Sequence, residues 1–276
     1  MAGLQRYSGG VDGRSPVPPE GLRPAQLGVV LVGRPVPGHI GATIADLAVR
    51  GYLMLEERGA DWVLTDLRTS AEPARGDLLG YEKELLEGLF DDGGVAVLGE
   101  LGVPFVDVLD RVRGKLTADA VRNGRLRRWR RGKRTERGEE LLAAIREFRR
   151  DLRTTAATVG LAAEHVPYAM ALGVAHSAGP RLSSAISADP AARPGELAAE
   201  VPKSSSLWSP SNQQFGTAWL TTCSRLAEPH GGHLPGFAPA LPEHEQSLAA
   251  YHQSHVAWSG GHGGHAGGGH AGGGHH

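Results

Sequence analysis

The chain has one cysteine, Cys223, among 276 residues. A single thiol excludes an internal disulfide framework and fits a reducing compartment. Long hydrophobic runs are also missing. The apolar stretch from Leu27 to Val32 is interrupted by Gly28 and is far too short to cross a bilayer. The stretch from Thr154 to Ala175 is apolar on average, yet it holds Glu164, His165 and Pro167, which predicts a buried helix and not a span. Met1 to Val17 contains no apolar core of signal-peptide length, so the expected location is cytoplasmic, with peripheral attachment at the inner membrane face left open. Catalytic signatures are absent too: there is no Gly-x-Ser-x-Gly elbow, no phosphate-binding glycine loop with its lysine, and no HExxH. Cys223 falls on the apolar stripe of a helix beside Trp219 and Leu226, where a thiol packs instead of reacting. These absences lead to the expectation of a non-enzymatic protein with no catalytic residue and no small-molecule substrate. The net charge of −1 gives no global attraction to nucleic acid or membrane.

Glycine (40) and proline (18) are abundant and crowd the first forty and last fifty positions, so the segment between them has a normal core-forming composition. Residues 1–22 read as an extended lead-in, because Pro16, Pro18 and Pro19 disfavour regular structure. Residues 23–124 read as two winged-helix-like units. In the first, a weakly patterned helix near Arg23 to Val32 precedes a clear one in which Ile40, Ile44, Leu47 and Ala48 share a face and Gly51 ends it. Tyr52 to Glu56 and Trp62 to Thr65, flanking a glycine turn, then form the hairpin. In the second, helical stripes at Tyr81, Leu85, Leu86, Leu89 and Phe90, and at Phe105, Leu109, Val112 and Leu116, flank a short strand at Val95 to Leu98; Asn123-Gly124 ends the unit. Residues 125–137 form a basic connector, and residues 138–228 a helical region. Its helices are expected from Gly138 (Leu141, Ile145, Phe148, Leu152), from Leu161 to His176 ended by Gly179-Pro180, and around Phe215, Trp219, Leu220, Cys223 and Leu226. A proline- and serine-rich loop falls near 187–211. Residues 229–276, ending in glycine, histidine and alanine, cannot bury enough surface to offset their ordering entropy and are expected to be disordered. The fold class is therefore mainly α with short β-hairpins.

Several stretches together resemble the YciQ-like predicted membrane proteins, a bacterial family of unknown function. They are PPEGLRPAQLGVVLVGR, ATIADLAVRGYLMLEE with WVLT after the turn, YEKELLEGLF, RGEELLAAIREFRRDL, VPYAMALGVA and the glycine-rich C-terminus. Family members carry a signal segment, an outer domain and a span before this region, and further spans within it. Here RWRRGKRTERGEE runs directly through the place where those inner spans would lie. The resemblance implies the cytoplasmic portion of a membrane protein without its anchor, and it implies neither catalytic residues nor a ligand.

Three groups of residues could carry function. The first is the basic run: Arg122, Arg125, Arg127, Arg128, Arg130, Arg131, Lys133, Arg134 and Arg137 stand against the one anion Glu136, with Trp129 among them. So dense a run suits the phosphates of anionic lipid or of nucleic acid, and equally a solvated connector paired with Glu139 and Glu140. The position of the inner spans in the resembled family favours lipid. The second is the outer face expected of the winged unit's reading helix, Thr43, Asp46 and Arg50, with Arg58 on the wing. Asp46 opposes phosphate and no amide side chain is present to read adenine, so this face suits an unknown protein partner better than bases. The third is the tail, where His262, His265, His270, His275 and His276 on flexible glycine backbone would bind nickel or zinc, or merely solubilise. Scattered His39 and His165 read as structural. The expectation is an interaction module that docks a protein or the inner membrane surface, with nucleic-acid binding and metal handling as alternatives.

Overall fold

A computed structural model describes residues 15–59, 61–69, 76–91, 93–128, 132–158, 161–174 and 212–237. It is a mainly helical structure with one small antiparallel sheet. Helix α1 spans Pro24–Val32, with the Arg23 amide donating to Gln26 Oε1 across its first turn. Helix α2, Pro37–Val49, opens on the same device: the Val36 amide donates to His39 Nδ1 at 3.2 Å. Both helices carry proline at their first position, where no N–H is needed. Strands β1 (Leu53–Arg58) and β2 (Asp61–Asp66) form an antiparallel hairpin. Helix α3 (Gly80–Leu89) leads to β3 (Val95–Val97), and α4 (Pro104–Arg122) follows. Helices α5 (Glu136–Thr158), α6 (Val166–Ala171) and α7 (Asn212–Ala227) complete the described structure.

The sheet order is β1-β2-β3, because β3 pairs antiparallel with β2 at Val63↔Val97 and Thr65↔Val95. The two helix-and-strand units suggested by the sequence therefore share one sheet and one core, and neither closes on its own. The Asp61 carboxylate joins them, accepting from the Gly99 amide at 2.9 Å.

Helix α2 lies at the centre. Every residue from Gly38 to Ala48 is buried, with α1, α6, α7 and β1 around it. Small residues permit this. A methyl group on Gly41 would stand 2.5 Å from Trp219 Cδ1, so α7 sits directly on the α2 backbone, and Trp219 Nε1 donates to the Pro37 carbonyl at 2.8 Å. The face expected to point outward is a correction: Thr43, Asp46 and Arg50 are all buried, and Thr43 Oγ1 donates to the His39 carbonyl. A helix covered on all sides cannot enter a nucleic-acid groove.

Two boundaries differ from the sequence reading. The helix expected over Leu161 to His176 is a 3₁₀ turn at Ala163–His165 followed by α6, which ends at Ala171. Pro167 has no N–H to continue an upstream helix, so the element starts beside it. The tail expected from 229 is still packed further along: Leu234 is buried and Phe237 lies against the core. At the other end, the lead-in is pinned through the Pro16 carbonyl, 2.7 Å from His165 Nε2, and through Tyr168, whose hydroxyl donates to the Leu22 carbonyl. The proline- and serine-rich loop near 187–211 lies outside the described residues. Among the described residues no helix is long and apolar enough to cross a membrane.

Candidate functional site

The basic run folds as a small β-like hairpin between α4 and α5. Leu126 bridges Arg134, the Arg127 amide donates to the Lys133 carbonyl at 2.8 Å, and the Thr135 amide donates to the Arg125 carbonyl. Thr135 then caps α5, its hydroxyl accepting from the Gly138 amide. The cations of the run divide into two kinds. Arg122, Arg127, Arg128, Lys133 and Arg137 are exposed. Arg125 and Arg134 are turned inward, a correction to reading the whole run as surface. Arg125 is 6% exposed and its guanidinium meets Asp119 at 3.4 Å; Asp119 also accepts from Gln26 of α1 at 2.7 Å. Arg134 closes the C-terminus of α1, donating to the Val30 and Leu31 carbonyls at 2.5 and 2.6 Å. Helix C-termini leave such carbonyls without partners and carry partial negative charge, so this cation is held by geometry and by the helix dipole.

The turn of the hairpin is seated as closely. Gly33, the left-handed residue that ends α1, lies so near Gly132 that a methyl group on it would meet the Gly132 carbonyl at 2.6 Å. The hairpin is thus fastened to α1 both at its turn and through Arg134, while Arg127, Arg128 and Lys133 are exposed. Arg130, Arg131 and Trp129 lie outside the described residues. So do the tail histidines His262, His265, His270, His275 and His276. Among the described residues no group of three or more His, Cys, Asp or Glu side chains could hold a metal ion.

A second charged cluster is hidden inside the protein. Arg50, which follows the last residue of α2, lies between two acids, 2.9 Å from Asp46 and 2.8 Å from Glu82, and Glu82 has no exposed side-chain surface. Arg23 approaches Glu82 from the start of α1 at 3.9 Å. The other oxygen of Glu82 accepts from the Leu79 amide, so one side chain both caps α3 and ties α3 to α2. Arg50 also stacks on Tyr52, whose hydroxyl donates to the Gly76 carbonyl. Sequence reasoning puts Asp46 and Arg50 on an outer face and passes over Glu82. The signal is present in the spacing of four between Asp46 and Arg50, and in a glutamate three residues after Leu79.

Burial raises the Asp46 carboxyl to about 6; Arg50 pulls it back only in part, being shared with Glu82. The folded state therefore holds this proton more tightly than the unfolded chain. Stability from this group is greatest below its ordinary value of 3.8, falls as pH rises through about 6, and is level beyond. The stability of wild type relative to Asp46→Asn, read from urea midpoints, should thus fall as pH rises from about 4 to about 7. A difference that stays flat across that range would contradict this reading of Asp46. Burial likewise pushes the Cys223 thiol up, which leaves it a packing group.

Compared with protein-family models, curated proteins and solved structures, the chain matches none.

Proposed function

We propose that this chain is a non-catalytic docking module, akin to the cytoplasmic part of a YciQ-like membrane protein, whose basic hairpin rests on the anionic phospholipid surface at the inner face of a membrane. The observation that carries the reading is the division of the run: Arg125 and Arg134 anchor the hairpin, while Arg122, Arg127, Arg128, Lys133 and Arg137 stay exposed around a fixed support. A merely solvated connector has no need of two inward arginines and a glycine seat. Each cation brought near an anionic leaflet contributes about 1 kcal/mol, so a handful suffices for reversible attachment. Nucleic acid offers the same phosphate charge, but α2, the helix suited by its place in the order to read a groove, is covered.

Titrating the full chain with phosphatidylcholine vesicles, with vesicles containing about one third phosphatidylglycerol, and with a DNA duplex tests the proposal. The expected result is preference for the anionic vesicles, weakening as salt screens the charges. Equal binding to both vesicle types, or preference for the duplex, would overturn it.

A further inference from the structure

Beyond the hairpin, cations are also gathered on α5. Arg146, Arg149, Arg150 and Arg153 recur at i, i+3, i+4 and i+7, which places four guanidinium groups along one flank of the helix. Arg146, Arg150 and Arg153 are exposed and Arg149 is half-buried. The acids of the same stretch, Glu140, Glu147 and Asp151, fall together on a different flank. One pair that links the two flanks is loose: Arg150 meets Glu147 at 3.5 Å, with the arginine side chain 70% exposed. The helix dipole does not explain the arrangement, because its influence is confined to the terminal turn and α5 has no basic residue in its last turn.

The flank continues the hairpin. Glu139, two turns before Arg146 on the same side of α5, faces Arg134 of the hairpin at 3.7 Å. With a rise of about 1.5 Å per residue, the flank extends over roughly 20 Å of α5 from Glu139, beside the hairpin, to Arg153. On either side of the arginines along the chain the helix exposes the small side chains Ala143 and Ala157. A long, shallow, basic strip fits a flat sheet of phosphate headgroups.

We propose that the Arg146–Arg153 flank of α5 is a second contact with the anionic membrane, so that the protein lies with α5 along the surface, its arginine flank toward the lipid and its acidic flank turned from it. This rests on the docking role proposed for the hairpin and sets the orientation of the docked molecule.

The test uses the full chain and the variant R146Q/R150Q/R153Q, with R146K/R150K/R153K as a charge-preserving control, on vesicles with about one third phosphatidylglycerol and on a DNA duplex. All three positions are exposed, and unchanged thermal unfolding would confirm an intact fold. The expected result is about 100-fold weaker vesicle binding for the glutamine variant, near-normal binding for the lysine variant, and a much smaller change on the duplex. A glutamine variant that binds vesicles as wild type does, while hairpin neutralisation abolishes binding, would overturn this inference and leave the hairpin reading standing. Loss with the glutamines but none on neutralising the hairpin would do the reverse. Equal losses on vesicle and duplex would also overturn it, marking the flank as an indiscriminate polyanion patch.

Discussion

Replacing Arg50 by methionine is expected to destabilise the protein by about 3–5 kcal/mol, because it strands two buried acids. Asp46 and Glu82 both depend on this guanidinium, at 2.9 and 2.8 Å, and neither can turn to water where it sits. Removing one partner of a buried pair leaves an uncompensated charge, a cost far above that of losing an exposed pair. For a domain of this size the loss corresponds to a fall in Tm of roughly 10 °C. The triple variant D46N/R50M/E82Q separates charge from packing. It removes both stranded charges, and the side-chain carbonyl left at position 82 can still accept from the Leu79 amide as Glu82 does. Most of the lost stability should return. A cost below about 1 kcal/mol for Arg50→Met, or a triple variant no better than the single one, would show that the cluster is not the lock between α2 and α3.

The same cluster shows where sequence patterns stop being informative. The stripe of Ile40, Ile44 and Leu47 locates α2, Gly51 locates its end, and the glycine turn locates the β1–β2 hairpin, because each depends on neighbours a few residues away. What surrounds α2 depends on partners far along the chain. Trp219 reaches Pro37 across 182 residues, and no local periodicity announces that Gly41 is covered by an indole. A stripe on one face reads as leaving the other face open, which puts Thr43, Asp46 and Arg50 in solvent when in fact they are buried.

The basic run follows the same logic. Counting charges identifies it, but counting cannot separate Arg134, which closes α1, from Lys133 beside it, which faces water. That difference is set by the α1 carbonyls, about a hundred residues upstream. The arginine flank of α5 is hidden in the sequence for the opposite reason. Its cations alternate with Glu147 and Asp151 along the chain, and only winding into a helix sorts them onto separate sides.

The docking proposal makes its sharpest demand on the exposed half of the hairpin. Arg127, Arg128 and Lys133 are exposed, Arg127 Nε donating at 3.1 Å to the Arg134 carbonyl at the surface, and changing them to glutamine leaves the Arg125–Asp119 pair and the Arg134 bonds to α1 in place. At about 1 kcal/mol per cation, the variant R127Q/R128Q/K133Q should lose on the order of 100-fold in affinity for an anionic surface with its thermal stability unchanged. Neutralising the inward pair instead, as R125M/R134M, should lower stability first, since it leaves Asp119 and the α1 carbonyls without their cation. The decisive measurement is therefore the partitioning of wild type and R127Q/R128Q/K133Q onto vesicles with about one third phosphatidylglycerol, at low and physiological salt. A stably folded variant whose binding falls about 100-fold at low salt, converging on wild type as salt rises, is the predicted outcome. A variant that binds as tightly as wild type would mean that the hairpin is a connector and that the docking surface lies elsewhere.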